Sequence, residues 1–396
     1  MDTEDLRERE YLKRLEANAL RRQVYTLPAS AAAASRYEDL GRVESQLSAL
    51  SRERAEAETA SRDTHELRGA QSTGLEVAIT VHLAEIPSAV YHLFDPAEQP
   101  LVSCTVRNAG DDIRRVRITS RIAGYSADAV DTIELEAEEE RTVDQLPTLF
   151  PDRVRHVTEL TGATLSVLAE DLDGTVETHQ TKPVRLLART TAPLMVHNPS
   201  TGLWTDLSRY LGAFVTPNSS DVMTFLRSVV EHHPEGELVG YQKGRDAVEP
   251  QVRAIFAALR DSGIAYVNSV VALNPDEGAS AQRVRLPRES LADRQANCVD
   301  GTVLFASLLE AVSLSPAIVV VPGHALVAWE TWQLSNEWRY LETTLISTDT
   351  FEEACTAAEE LIAGYHSSAQ DDDDPYRLRS WPVRRLRAAH RIYPME

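Results

Sequence analysis

Three patterns of apolar spacing succeed one another along the chain. Residues 1–67 carry two apolar runs: Leu6, Leu12 and Leu15 in the first, then Leu40, Val43, Leu47 and Leu50, spaced three and four apart, in the second, flanked by Glu38, Glu44, Arg52 and Glu56. That spacing predicts helices with a narrow apolar seam. TLPASAAAAS at 26–35, with Pro28, separates the two runs. A helical arm fits, as a hairpin or a short self-associating coil, or as a solvated helix packed on the rest of the chain. From 75 to 190 the period drops to two. LEVAITVHL (75–83), PLVSCTVRN (100–108), IRRVRITSRIAGY (113–125), DTIELEA (131–137), RTVDQLP (141–147) and ATLSVLAE (163–170) read as short strands, with the turn signal NAGDD between two of them. Val116, Ile118 and Ser120 alternate with Arg115, Arg117 and Thr119, as a half-buried strand requires. An antiparallel β-sandwich is expected.

TTAPLMVHNPST (190–201) reads as a linker. Beyond it, over 204–365, helical and strand patterns mix. Helices are predicted over 218–233, 246–263, 297–314 and 351–365, and strands over 264–273, 317–322, 324–331 and 337–344. The fold class expected is α+β and multidomain. A tail, 366–396, opens with the acidic run Asp371 to Asp374 and then becomes basic, with Arg377, Arg379, Arg384, Arg385, Arg387 and Arg391 among Trp381 and Tyr393.

Charge changes the reading of that tail. The chain of 396 residues has a net charge of −21, so the basic segment is expected to dock on the chain's own acidic surface, and neither nucleic acid nor an anionic membrane is an expected partner. The first 25 residues are charged throughout and lack the apolar core of a signal peptide. No stretch of about 18 apolar residues predicts a membrane span. Cys104, Cys298 and Cys355 are too few and too scattered for a disulfide framework, and no CxxC pair suggests structural zinc. A reducing cytoplasm is the expected setting. Adjacent His232 and His233 cannot share a helix face, and with no HExxH or Cys/His cluster neither a metal nor another cofactor is expected.

The candidate chemistry lies between 282 and 345. Cys298 follows a capping candidate, Asn297, at the start of an apolar helix. There a thiol faces the positive end of the helix dipole, which favours the nucleophilic thiolate, and its N–H points where an oxyanion would form. His324 opens a strand after Gly323, and Glu342 ends the next strand-like run. The order is that of a nucleophile, a base and the acid that orients the base. Each residue alone also has a structural reading: a core cysteine, a structural histidine, a rim charge. Glu310 and Glu330 are weaker candidates for the acid. Gln295 and Gln282 are candidates for a second oxyanion donor, or structural residues. Arg283, Arg285 and Arg288 can bind an acidic substrate or form salt bridges. Cys104 and Cys355 read as packing residues.

NCVDGTVLFASLLEAVSLSPAIVVVPGHALVAWE followed by WRYLETT resembles the transglutaminase-like superfamily of papain-fold cysteine enzymes, over about 204–365. The 75–190 segment resembles immunoglobulin-like accessory modules. The first resemblance implies a papain-like domain with Cys298, His324 and Glu342 as the triad, Glu standing where that family usually has Asp. It implies acyl transfer on protein amides through a thioester: proteolysis if water is the acceptor, cross-linking if an amine is. Proteolysis on a protein or peptide substrate is the expected function. The alternative is an inactive peptide-binding or assembly protein in which the N-terminal helices serve self-association or hold a partner.

Overall fold

The computed structural model describes residues 74–395 except 175–176, 198–203, 268–279, 322 and 368–377, together with Arg9, Lys13, Arg42, Val43 and Gln46. Those five are helical and Val43 is buried; the rest of the expected arm, 1–67, lies outside the described residues. The chain divides into two compact units, Met1–Leu75 and Glu76–Glu396. It is a mixed α and β protein with several sheets, and among the described residues no helix is long and apolar enough to cross a membrane.

The period-two region forms two sheets. Strands β1 (Leu75–Val81), β2 (Glu85–Ile86), β3 (Val102–Asn108), β4 (Arg114–Ile122), β5 (Ala129–Leu135) and β6 (Glu140–Gln145) come first. A one-turn helix α1 (Pro151–Val154) and the long strands β7 (Thr161–Asp171) and β8 (Glu177–Leu186) follow. One sheet has the order β1-β3-β6, the other β2-β8-β7-β4-β5. Alternation buries one face of each: Val102, Cys104 and Val106 on β3, Val116, Ile118 and Ile122 on β4, Leu165 and Val167 on β7. Gln145 of the first sheet reaches across and donates to Ile118 O of the second at 3.1 Å, and Asn108 Nδ2 donates to Glu136 O at 3.0 Å.

Two expectations need correction here. The β2–β8 pair is parallel: after β1 the chain crosses to the edge of the other sheet and arrives alongside β8 running the same way. Strand β8 itself was not expected, because ETHQTKPVRL has only Val184 and Leu186 to mark its buried face and Pro183 to argue against a strand. β2 pairs only with Arg185 and Leu186, so at Pro183 one edge of β8 is open and tolerates the missing N–H.

The segment expected to be a linker is also a strand. β9 (Thr191–His197) is the middle strand of a three-stranded sheet, between β10 (Trp204–Asp206) and β12 (Ser280–Arg283). Its partner β12 shifts register between Ser280 and Ala281, opposite Pro193, where the ladder lacks a donor.

Helices α2 (Ser220–His232) and α3 (Val248–Asp261) follow the predicted stripes, α2 starting where Ser219 caps it. β11 (Ala265–Tyr266) pairs in parallel with β13 (Gln295–Ala296) after the short helix α4 (Pro287–Asp293); residues 268–273 of the strand predicted there lie outside the described residues. Helix α5 (Cys298–Ala311) is buried from Cys298 to Leu309, apolar on nearly all sides as a central helix must be. It packs on β14 (Pro316–Val321) and β15 (His324–Glu330), with β16 (Trp338–Leu341) antiparallel to β15. Helix α6 (Phe351–Ser367) covers β16, and Phe351 meets Trp329 and Phe256 in an aromatic cluster.

The basic tail completes this sheet. β17 (Arg379–Pro382) adds antiparallel to β14, giving the order β16-β15-β14-β17, and α7 (Val383–Ala388) follows. Arg379 pairs with Asp206 at 2.6 Å, and Arg387 pairs with Glu310 at 3.0 Å while donating to the carbonyls of Gly212, Val215 and Ile392. Arg387 is mostly buried, so Arg387→Ala would leave Glu310 and three carbonyls without their donor. A loss of about 2–4 kcal/mol is expected from urea unfolding midpoints. A change below about 0.5 kcal/mol, the size of an ordinary surface substitution, would mean that the tail is not part of the folded unit.

Candidate active site

The site is built on the first turn of α5. Asn297 is extended, and its Oδ1 accepts from Asp300 N at 2.8 Å, while Asp300 Oδ2 accepts from Asn297 N at 3.0 Å. This reciprocal cap stops the helix from starting earlier and makes Cys298 its first residue. It leaves the N–H groups of Cys298 and Val299 at the open end of the helix. Asp300 has no solvent exposure and also accepts from Arg285 N at 2.6 Å and Arg285 Nη1 at 2.8 Å. Burial pushes the Asp300 carboxyl up, against the pull of these donors. Asn297 Nδ2 ties the same turn to Arg283 O at 3.0 Å.

The sheet brings the other two residues to Cys298. His324 pairs with Val321 at the closed end of the β14–β15 hairpin, after Gly323 with φ 74°. Glu342 follows β16, whose register with β15 (Leu341 opposite Val327) carries its carboxylate toward the ring. His324 Nε2 meets Glu342 Oε2 at 2.6 Å, and Cys298 lies near enough to the ring to raise its titration. The other carboxylate oxygen, Oε1, accepts from Thr344 N at 3.0 Å and Thr344 Oγ1 at 2.6 Å. Both oxygens of Glu342 are therefore held.

Close approach of α5 to this turn depends on Gly301. A Cβ there would lie 2.8 Å from Thr343 Oγ1 and 3.1 Å from Thr343 Cβ, so no other residue fits without moving Glu342 and its neighbours.

Electrostatics follow the contacts. The proximity of Cys298 and then the hydrogen bond to Glu342 outweigh burial and raise the His324 imidazolium to about 10. Burial opposes the Glu342 carboxylate, but His324 and Thr344 outweigh it and hold its titration below the ordinary value. The other thiols differ. Cys104 and Cys355 are each 1% exposed, and burial pushes them up to about 11 and about 12. A positioned thiol, an imidazolium and a carboxylate in this order can attack a carbonyl and protonate a leaving amine.

The remaining candidates have these places. Gln295 is exposed on β13 and Gln282 lies on β12, its Nε2 donating to Arg283 O at 3.3 Å; no contact described here joins Gln295 to the thiol. Arg285 is a buried salt-bridge residue, while Arg283 is exposed. Glu310 is taken up by Arg387, and buried Glu330 accepts from Asn336 N at 2.8 Å. His232 bonds Asp261 and Ser228 O. Among the described residues no group of three or more His, Cys, Asp or Glu is placed to hold a metal ion.

No protein-family model matches the chain, and no curated protein matches it. Solved structures share parts of it weakly. A FixG-related protein from Vibrio parahaemolyticus aligns at 12% identity over 29% of this chain and 96% of that one, with a TM-score of 0.20. A transglutaminase from red sea bream aligns at 12% identity over 34% of this chain and 19% of that one, TM-score 0.21. Native alpha-2-macroglobulin from Escherichia coli, from domain MG7 to the C-terminus, aligns at 8% identity over 48% and 34%, TM-score 0.21. At such scores these likenesses define no family for the chain.

Two residues at the site were not expected from sequence. Asp300 had a local signal, the N-x-x-D spacing from Asn297. Tyr266 had none, because a parallel pairing distant in sequence places it there. Burial and then the charges of Cys298 and Glu342 raise its phenol above the ordinary value, which puts it within electrostatic reach of both.

Asp300→Asn keeps the shape but leaves the buried Arg285 charge with only the more distant and exposed Asp293, at 4.0 Å, as counterion. A loss of about 3–5 kcal/mol is expected in chemical denaturation; a loss below about 1 kcal/mol would show that the pair does not anchor the turn. His324 gives a pH signature. Its folded value lies above the ordinary 6.5, so its stabilising contribution is complete below about 6.5 and is lost as pH rises through about 10. Unfolding midpoints of the wild type should fall across that window. Glu342→Gln removes a cause of the raised value, so the fall should end at lower pH, and an unchanged profile would sever the linkage between the two residues.

Proposed function

We propose that the chain is a cysteine-dependent acyl-transfer enzyme acting on protein amide bonds, a transglutaminase-like protease with a Cys298–His324–Glu342 triad. The observation that carries this is the single imidazole set near the thiol at a helix start and hydrogen-bonded to a carboxylate whose second oxygen is also fixed. On this reading the Cys298 thiolate attacks the carbonyl carbon. The Cys298 N–H, with Gln295 or Gln282 as a candidate second donor, receives the developing oxyanion. The C–N bond breaks, His324 gives its proton to the departing amine, and a thioester remains. His324, now neutral, takes a proton from water as that water attacks the thioester, releasing the acid and restoring the thiol pair. Water is taken as acceptor because nothing at the site marks a place for a second amine. The replacement of Asp by Glu is compatible with this role, since the longer side chain reaches Nε2 at 2.6 Å. On the same reading the first two sheets are an immunoglobulin-like sandwich and the α5-centred part is a papain-like domain. The three free cysteines suit a reducing cytoplasm.

Iodoacetamide at pH 7 should label Cys298 ahead of Cys104 and Cys355. Cys298→Ala should abolish cleavage products detected by mass spectrometry while leaving the fold intact. His324→Ala should cost about 10²–10⁴-fold in rate, and Glu342→Gln less. If Cys298 labels no faster than Cys355 and Cys298→Ala changes no product, the domain binds peptides without cutting them.

A further inference from the structure

A small pocket opens beside the triad. Its lining includes Asn297, which precedes Cys298, and Thr344, whose hydroxyl holds Glu342, so it lies next to the reacting groups although none of the three lines it. Its walls are partly apolar, with Ile264, Leu304 and Ile346 among them, and partly hydroxyl-bearing, with Tyr266, Thr344 and Ser347, and none of the lining residues is charged. A charged side chain entering it would lose its water and gain no counterion. The cavity measures about 20 Å³, room for about one water-sized group. That is the size of a methyl.

The strand that borders the pocket has a free edge. In the parallel pair, Ala265 N donates to Arg294 O and Val267 N donates to Ala296 O, both at 2.9 Å. Alternate residues of a strand face opposite edges, so the N–H and C=O of Tyr266, between them, point away from β13. The sheet has only these two strands among the described residues. An unpaired edge of this kind takes up an extended peptide by main-chain hydrogen bonds, with alternate side chains read by pockets.

Taking Cys298 as the nucleophile proposed above, we infer that the substrate is an extended peptide lying along the Tyr266 edge of β11, with a methyl-sized, uncharged side chain in the pocket on the residue whose carbonyl is attacked. The preferred acyl residue is therefore alanine or one of like size. Tyr266 supplies both the edge and one wall, and Ile346 sets the depth.

The test uses the full chain and acetyl-Ala-Ala-X chloromethyl ketones, with X as Ala, Leu, Trp or Glu, and reads the rate of Cys298 alkylation by mass spectrometry. The Ala probe should react about 10–200-fold faster than the Trp and Glu probes. N-methylation of a single peptide amide that would pair with Tyr266 should slow it by about tenfold. Ile346→Ala should raise the rate of the Leu probe relative to that of the Ala probe by about tenfold. Should that variant fail to fold, Ala265→Leu at the exposed rim fills the pocket instead and should slow the Ala probe alone. Rates within twofold across X, or a faster Glu probe, with normal iodoacetamide labelling of Cys298, would overturn this inference and leave the triad reading standing. Cys298 inert to iodoacetamide as well would overturn both.

Discussion

A carboxylate without any contact with water holds the start of α5. Asp300 accepts hydrogen bonds from two backbone N–H groups, Arg285 and Asn297, and from the Arg285 guanidinium. Each donor offsets part of the cost of taking the charge out of water, and each also fixes a piece of chain: the loop before α4, the cap, and the helix itself. Such a network is cooperative in the sense that removing one member leaves the others buried and unpaired. The position of Cys298, one residue inside the cap, is a consequence of it.

From that fixed turn the rest of the site follows by packing. α5 is buried along most of its length, so it cannot slide without breaking the core it shares with β14 and β15. The hairpin presents His324 at its closed end, and the antiparallel register of β16 delivers Glu342. Gly301 then sets how near the helix comes to Thr343. Thr344 takes one carboxylate oxygen and His324 the other, so the imidazole ring has an anchored partner and a fixed orientation.

The three cysteines show how environment divides one chemistry. All are buried and unpaired with each other. Cys104 alternates into the buried face of β3 and Cys355 lies in α6 behind its sheet; desolvation raises both thiols, and the charges of Glu359 and Glu249 add to it at Cys355. Cys298 is the one near an imidazole.

The sequence by itself determined the local structure around the site: the cap at Asn297, the apolar run of α5, the β14–β15 hairpin ending at His324, and the strand leading to Glu342. These are legible because period, cap and turn signals act over a few residues. The alternating strands from 75 to 170 were legible for the same reason. Strand β8 and strand β9 were not, since Pro183 and Pro193 contradict their local pattern and only neighbouring strands, with an open edge in one case and a register shift in the other, make them tolerable. The conversion of Arg285 from a candidate substrate contact into a buried counterion, the arrival of Tyr266 beside Cys298, and the docking of the tail as β17 depended on pairings between residues far apart in the chain. Tertiary structure decided these, because a buried charge or a free strand edge is defined by what surrounds it, and no local window of sequence contains its surroundings.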